Sequence, residues 1–180
     1  VMSWRGEDGG RTAAEAGHKV VMSPHGYCYI DAPQDAPPTQ PEAIGGYLPL
    51  EKVYSYDPAP KDMPETVSSY ILGVQANLWA EFIVTDSHYE HMLWPRAIAI
   101  AEIGWSNPSE RNYAAFKERA IKATDYLRGK GYNAFDLANE FGQRKEASQE
   151  SDNLAKGKSI VYAENAPYSN SYTAGGDNAL

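Results

Sequence analysis

The sequence predicts an α/β fold with parallel strands. Three observations carry that prediction. Short apolar runs at residues 1–4, 18–23 and 71–78 have the length and composition of buried strands. Long polar, aromatic-rich segments follow the second and third runs. Two extended patterns of helical periodicity then occupy residues 87–105 and 112–130. Strands that alternate with helices or long excursions favour a parallel sheet with helices packed on it.

Each element has a local reason. Residues 1–4 (Val-Met-Ser-Trp) read as the end of a strand, and the Gly-rich charged stretch 5–10 as a loop. Residues 12–16 suit a short helix. The run 18–23 is a second strand, stopped by Pro24 because proline cannot donate to a ladder. Residues 27–31 continue extended. Pro33, Pro37, Pro38 and Pro41 make 32–43 a loop, and a short helix fits between Pro49 and Tyr54 within 47–56. Residues 58–64 are loop again. The third strand, 71–78, is apolar on both faces, as expected of a parallel strand covered on each side. In the helix 87–105, Trp94, Ile98, Ala101 and Trp105 recur on one face, with Pro95 near a first turn or at a kink. Asn107-Pro108-Ser109 breaks the chain. The helix 112–130 carries Phe116, Ala120, Ala123 and Leu127 on one side and ends at Gly129 and Gly131. A weaker helix or turn at 133–145 and a polar linker at 146–153 follow. In a (β/α)8 barrel the segments after strand C-termini carry the active site. Three strands would supply only the last part of such a barrel.

Charge and composition exclude several functions. With 16 Lys+Arg against 24 Asp+Glu the formal charge is −8, and no basic run exists to meet phosphate backbones or anionic lipid, so no nucleic-acid partner is expected. A hydrophobic fraction of 42% supports a packed core. No apolar run approaches the roughly 18 residues of a membrane span. Cys28 stands alone, so neither an internal disulfide nor a thiolate metal cluster can form. Both ends look like cuts: residue 1 begins inside a strand with no initiator Met or signal peptide, and 159–162 begins a new strand-like run shortly before the chain stops.

The chemistry concentrates at the strand ends. Tyr29 and Asp31 are two apart in an extended segment and point to one face; Trp79 and Glu81 do the same after the third strand. With Trp4 after the first strand, they outline a pocket of three aromatic rings and two carboxylates. Rings stack on the C–H faces of sugars and carboxylates accept O–H bonds, so an uncharged, hydroxyl-rich ligand fits. Core aromatics beside surface acids would give the same letters. His88 and His91 have the spacing of a ligand pair but lack a third ligand, and read as surface residues without a metal. Glu102 beside Arg96 reads as an ion pair, and Cys28 as a small packing residue. No Gly-x-Ser-x-Gly elbow supports a serine nucleophile.

Several ordered motifs resemble the family 20 glycoside hydrolases, the β-N-acetylhexosaminidases. They are Trp4-Arg5-Gly6, the stretch from Gly17-His18 to Val20-Val21-Met22-Ser23-Pro24, Tyr29-Ile30-Asp31, Tyr54-Ser55-Tyr56-Asp57-Pro58, Gly73-Val74-Gln75-Ala76-Asn77-Leu78-Trp79-Ala80-Glu81, Trp94-Pro95-Arg96 and Ala101-Glu102. The likeness implies the C-terminal part, about strands six to eight, of a (β/α)8 barrel over residues 1–145. It implies removal of terminal β-linked N-acetylglucosamine or N-acetylgalactosamine, with no cofactor, by a substrate-assisted route. Tyr29 matches the tyrosine that bonds the acetamido oxygen. Asp31 and Glu81 match the carboxylates holding the outer hydroxyls, Trp79 and Trp4 match pocket walls, and Tyr56 is set against a further aromatic wall. The partners so implied are a glycan ending in N-acetylhexosamine and the remainder of the same barrel. A periplasmic, cell-surface or secreted location also follows from the resemblance.

One departure matters. The family's acid/base Glu and partner Asp lie in a His-x-Gly-Gly-Asp-Glu type motif that these 180 residues lack, and the sugar-gripping arginine is missing with it. Glu7-Asp8-Gly9-Gly10 has similar letters in another order and reads as a solvated turn. A non-catalytic glycan-binding module that keeps the pocket is therefore the competing expectation. Residues 154–180 resemble the opening of a discoidin-like β-sandwich, a carbohydrate-binding appendage.

Overall fold

The computed structural model describes residues 1–142. The elements are β1 (Met2–Ser3), α1 (Asp8–Glu15), β2 (Val20–Met22), α2 (His25–Cys28), α3 (Leu50–Tyr54), α4 (Glu65–Ser68), β3 (Ile71–Val74), α5 (Asp86–Leu93), α6 (Arg96–Trp105) and α7 (Tyr113–Gly129), with 3-10 turns at Pro37–Thr39, Pro108–Glu110 and Leu137–Asn139. The strands form one parallel sheet in the order β1-β2-β3. Met2 pairs with Val21, Ser3 with Met22, and Met22 with Val74; a bulge between Val20 and Val21 skips Leu72. Beyond the named strands the ladder resumes once, where Tyr29 pairs with Asn77.

Helices cover one face of the sheet. Val20 and Met22 are buried there with Ala14 of α1 and with Ala99, Ile100 and Ile103 of α6. Leu50 and Val53 of α3 join this core, and the ring of Tyr54 stacks on Phe116 of α7 at 4.3 Å. The other face is open: Met2 is 43% and Leu72 62% exposed. The expectation that the third strand is covered on both sides is thus not met within the described residues. Its apolar residues need a cover that these residues do not supply.

Helix ends follow capping rules. The side chain of Thr85 accepts from the His88 N–H at the start of α5, and Asn112 accepts from the Ala115 N–H at the start of α7. Gly131 (φ +92°) turns the chain out of α7, in a conformation that favours glycine.

Four local expectations are corrected. The loop at 5–10 is half helix, because α1 starts at Asp8. Gly10 lets α1 lie directly on the sheet: a Cβ there would collide with the Met22 sulfur and stand 3.0 Å from Ser3 Cβ. Residues 27–31 are not extended throughout; α2 winds through His25–Cys28, and only from Tyr29 does the backbone extend. The helix 87–105 is two helices, broken at Trp94-Pro95, since a proline ring cannot sit inside a continuous helix without a kink. The buried face of α6 is Arg96, Ala99, Ile100 and Ile103, while Trp105 is 92% exposed. This helix is apolar nearly all round, so spacing alone selected the wrong stripe. The short helix α4 had no sequence-level expectation.

Among the described residues no helix is long and apolar enough to cross a membrane. The end of the 133–145 segment, the linker at 146–153 and the β-sandwich opening at 154–180 lie outside the described residues.

Candidate functional site

All three strands deliver residues to one end of the sheet. Trp4 follows β1, His25 begins the turn after β2, Tyr29 and Asp31 leave that turn, and Trp79 and Glu81 follow β3. Backbone pairing holds these ends in register. The Ser23 N–H donates to Ser3 O, the His25 N–H to Trp4 O, the Ile30 N–H to Asn77 O and the Asn77 N–H to Cys28 O, at 2.8–2.9 Å. Beneath them, the Asn77 amide donates to the Ser23 hydroxyl, which donates to Gln75 O at 2.9 Å. Each strand end is therefore tied to its neighbour at the level where the side chains emerge.

The result is a cleft of about 530 Å³ lined by Met2, Trp4, His25, Tyr29, Asp31, Ile44, Trp79 and Glu81. Five of the six predicted site residues meet there. The Tyr29 ring sits 6.4 Å from the Trp79 ring, tilted by 56°, and meets His25 edge-on at 5.1 Å. The Arg5 guanidinium lies over Trp4 at 4.8 Å. Trp4 and Trp79 are both substantially exposed and present their rings to the opening.

Tyr56 does not join them, and its reading as a pocket wall is corrected. It is 2% exposed, stacks on Tyr27 at 4.8 Å, and its buried hydroxyl has no partner among the described residues. It belongs to the core below α3. The reason is chain path: Tyr56 follows α3 and packs with it in the core, whereas Trp4, Tyr29, Asp31, Trp79 and Glu81 emerge beyond the strand ends.

The two carboxylates differ in environment. Glu81 is exposed, while Asp31 is buried. Burial pushes the Asp31 carboxyl above the ordinary range. Its own backbone hydrogen bond opposes this, the Glu81 charge adds to it, and Arg96 and His25 pull back. A shielded carboxylate beside an exposed one can accept O–H bonds from a polyol on two sides. Among the described residues no three of His, Cys, Asp or Glu converge to hold a metal ion.

Residues missed from sequence are His25, Met2, Ile44 and Arg96. Ile44 reaches the cleft because Gly45 (φ +102°) and Gly46 (φ +81°) fold the long proline-rich loop back over it, and a glycine pair was the only available signal. Arg96 does not pair with Glu102. It is fully buried and bonds carbonyls, while Glu102 accepts from Tyr54 and Arg119. The histidine pair is not a surface pair: His91 is half-buried and bonds Gln40, and His88 Nε2 is buried without a partner among the described residues. Cys28 is buried as expected, and burial pushes its thiol up to about 12, with Glu7 adding to the effect.

Comparison with known proteins agrees with this geometry. The family described as "Glycosyl hydrolase family 20, catalytic domain" matches residues 1–108. A β-hexosaminidase from Porphyromonas gingivalis is 46% identical over 134 residues, which cover 74% of this chain and 17% of that protein. A second, from Akkermansia muciniphila, is 36% identical over 63% of this chain and 22% of its own length. The crystal structure of an exo-β-N-acetylglucosaminidase from Vibrio harveyi in complex with N-acetylglucosamine is 32% identical. It superposes with a TM-score of 0.65 over 76% of this chain and 22% of its own. The chain thus spans about a fifth of the length of these relatives. Three parallel strands, their covering helices and an ordered match through residue 108 lead to one assignment: the chain belongs to glycosyl hydrolase family 20 and represents part of its (β/α)8 catalytic domain.

Proposed function

We propose that this chain is part of an exo-β-N-acetylhexosaminidase that removes terminal β-linked N-acetylglucosamine or N-acetylgalactosamine with retention of configuration. The observation that carries the reading is the convergence of Trp4, Tyr29, Asp31, Trp79 and Glu81, from the ends of three parallel strands, on one cleft. In this reading the acetamido carbonyl oxygen of the substrate attacks the anomeric carbon and the glycosidic C–O bond breaks. The ring closes as an oxazolinium, and a carboxylic acid protonates the departing oxygen. Water then opens the oxazolinium at the anomeric carbon. The Tyr29 hydroxyl donates to the acetamido oxygen and orients it for attack on the anomeric carbon. Asp31 and Glu81 accept the outer hydroxyls, and Trp79 and Trp4 wall the pyranose and the acetamido methyl.

The general acid and its partner Asp come, in this proposal, from a His-x-Gly-Gly-Asp-Glu type segment elsewhere in the same barrel, since these 180 residues hold none. The open sheet face at Met2 and Leu72 supports a barrel remainder as its cover. Residues 1–145 then supply about strands six to eight, 146–153 a linker, and 154–180 the start of a discoidin-like β-sandwich.

The test is hydrolysis of p-nitrophenyl β-N-acetylglucosaminide by this chain alone and by the chain extended upstream. Activity only in the longer protein is the expected result. Activity in the short chain would place the acid among Glu7, Asp8 and Glu81 instead. Silence in both, with retained N-acetylglucosamine binding, would favour a glycan-binding module; the missing acid motif is the feature that keeps that reading in play.

A further inference from the structure

Arg96 is the largest fully buried side chain among the described residues. Every one of its five N–H groups is used. Nη2 donates to Ile30 O at 2.6 Å and Met92 O at 2.8 Å, Nη1 to Ala32 O at 2.7 Å and Leu48 O at 3.2 Å, and Nε to Met92 O at 3.2 Å. All acceptors are backbone carbonyls, and among the described residues no carboxylate forms an ion pair with it. Burying a guanidinium without a carboxylate partner is expensive, and its five hydrogen bonds to carbonyls are what offset that cost. Apolar packing of the core therefore does not explain its presence.

The choice of carbonyls does. Ile30 and Ala32 flank Asp31 directly, so one guanidinium grips the backbone on both sides of that carboxylate. Leu48 closes the loop that brings Ile44 to the cleft, and Met92 lies in the last turn of α5, before the Trp94-Pro95 break. Arg96 thus joins the strand end, the cleft loop and the α5–α6 junction at one point. It also sets a positive charge behind Asp31.

We propose that Arg96 is a positioning residue of the cleft: by clamping the carbonyls of Ile30, Ala32 and Leu48 it fixes the Asp31 carboxylate toward the ligand. The identity of the ligand, a sugar hydroxyl, rests on the hexosaminidase reading above. Among the described residues the charged and titratable groups facing Asp31 are Glu81 after β3, His25 of α2 and Arg96 of α6. Burial lowers Arg96 to about 9 while Asp31 opposes the fall, so the guanidinium is charged at neutral pH. Removing that charge leaves burial and Glu81 less opposed, and Asp31 then takes up its proton at a higher pH.

The test compares Arg96→Met, Arg96→Lys and Asp31→Asn with the unmutated form of the intact protein that carries these residues. It measures kcat and KM for p-nitrophenyl β-N-acetylglucosaminide as pH falls, with circular-dichroism melting beside them. Arg96→Met is expected to raise KM on the order of tenfold with a smaller effect on kcat, and to start the acid-side rise of KM at higher pH. Arg96→Lys keeps the charge but loses two donors, so it restores the onset of that rise while leaving part of the KM increase. A folded Arg96→Met protein with unchanged KM and unchanged onset overturns the proposal. If Arg96→Met does not fold, Arg96→Lys decides: a raised KM with the onset of its acid-side rise unchanged supports the proposal, and a KM equal to that of the unmutated protein overturns it, while a flat acid-side KM in Asp31→Asn identifies Asp31 as the group that titrates. An unmutated protein that hydrolyses nothing removes the hexosaminidase reading separately. The variants are then read by Trp fluorescence on titration with N-acetylglucosamine, where equal affinity with and without Arg96, or no binding at all, overturns the proposal.

Discussion

The rings of Tyr29 and Trp79 face each other across the mouth of the sheet, 6.4 Å apart and tilted by 56°. One follows the turn after β2 and the other follows β3, and they are held together by the Tyr29–Asn77 bridge two residues before the tryptophan. A parallel bridge at that point leaves little freedom in the spacing of the two rings. The aromatic part of the cleft is thus set by backbone hydrogen bonds rather than by loop packing.

The pair should separate kinetically in the intact protein. On the hexosaminidase reading, Tyr29→Phe keeps the ring and removes only the hydroxyl that orients the attacking oxygen, so kcat should drop on the order of 10²-fold with a smaller change in KM. Trp79→Ala removes a stacking wall that substrate and transition state share, so its main effect should be a rise in KM of roughly tenfold to a hundredfold. Steady-state kinetics on both variants checks this, and a Tyr29→Phe protein with full kcat would remove the hydroxyl from the mechanism.

The extent to which the site was legible follows from its construction. Tyr29 with Asp31, and Trp79 with Glu81, are two-residue steps at strand ends, and a period of two is the simplest rule a sequence carries. Trp4 was legible from its place at the end of the first strand. Arg96 was not, because a charged residue in an apolar helix looks like its solvent-facing position, and nothing local reveals that four distant or preceding carbonyls await it. Ile44 depends on the path of a long loop, which spacing does not encode. The fold class was legible from three buried runs; the split of α5 from α6 was half visible in Pro95; the onset of α1 was hidden because Gly9 and Gly10 are poor helix formers on their own.

Those two glycines give a stability prediction with its own control. A Cβ on Gly10 would overlap the Met22 sulfur and crowd Ser3, so Gly10→Ala should destabilise the protein by about 1–3 kcal/mol. A Cβ on Gly9 meets only the Ser3 hydroxyl at 3.6 Å, an ordinary contact, so Gly9→Ala should be neutral or stabilising by up to about 1 kcal/mol through helix propensity. Urea denaturation of the two variants measures the difference. Equal effects would mean that α1 does not press on β2 at Gly10.

Stability should also depend on pH through His91. Its Nε2 lies 3.0 Å from Gln40 Oε1, and its ring meets Phe135 edge-on at 5.5 Å. Burial lowers its pKa to about 4, and the charges of Arg96 and His88 act in the same direction. The neutral ring donates its Nε2–H to Gln40. In the unfolded chain the same histidine titrates near 6.5. Between about pH 6.5 and about pH 4 the unfolded state therefore binds more protons than the folded one, and stability must fall as pH falls through that window. Other carboxylates and histidines titrate nearby, so the informative quantity is the difference between proteins. His91→Gln can still donate to Gln40 but carries no proton to gain. Its urea midpoint should decline less between pH 7 and pH 4.5 than that of the unmutated protein. Parallel declines would show that His91 is as free to protonate in the folded protein as in the unfolded chain, and that its packing against Phe135 does not exclude the charged ring.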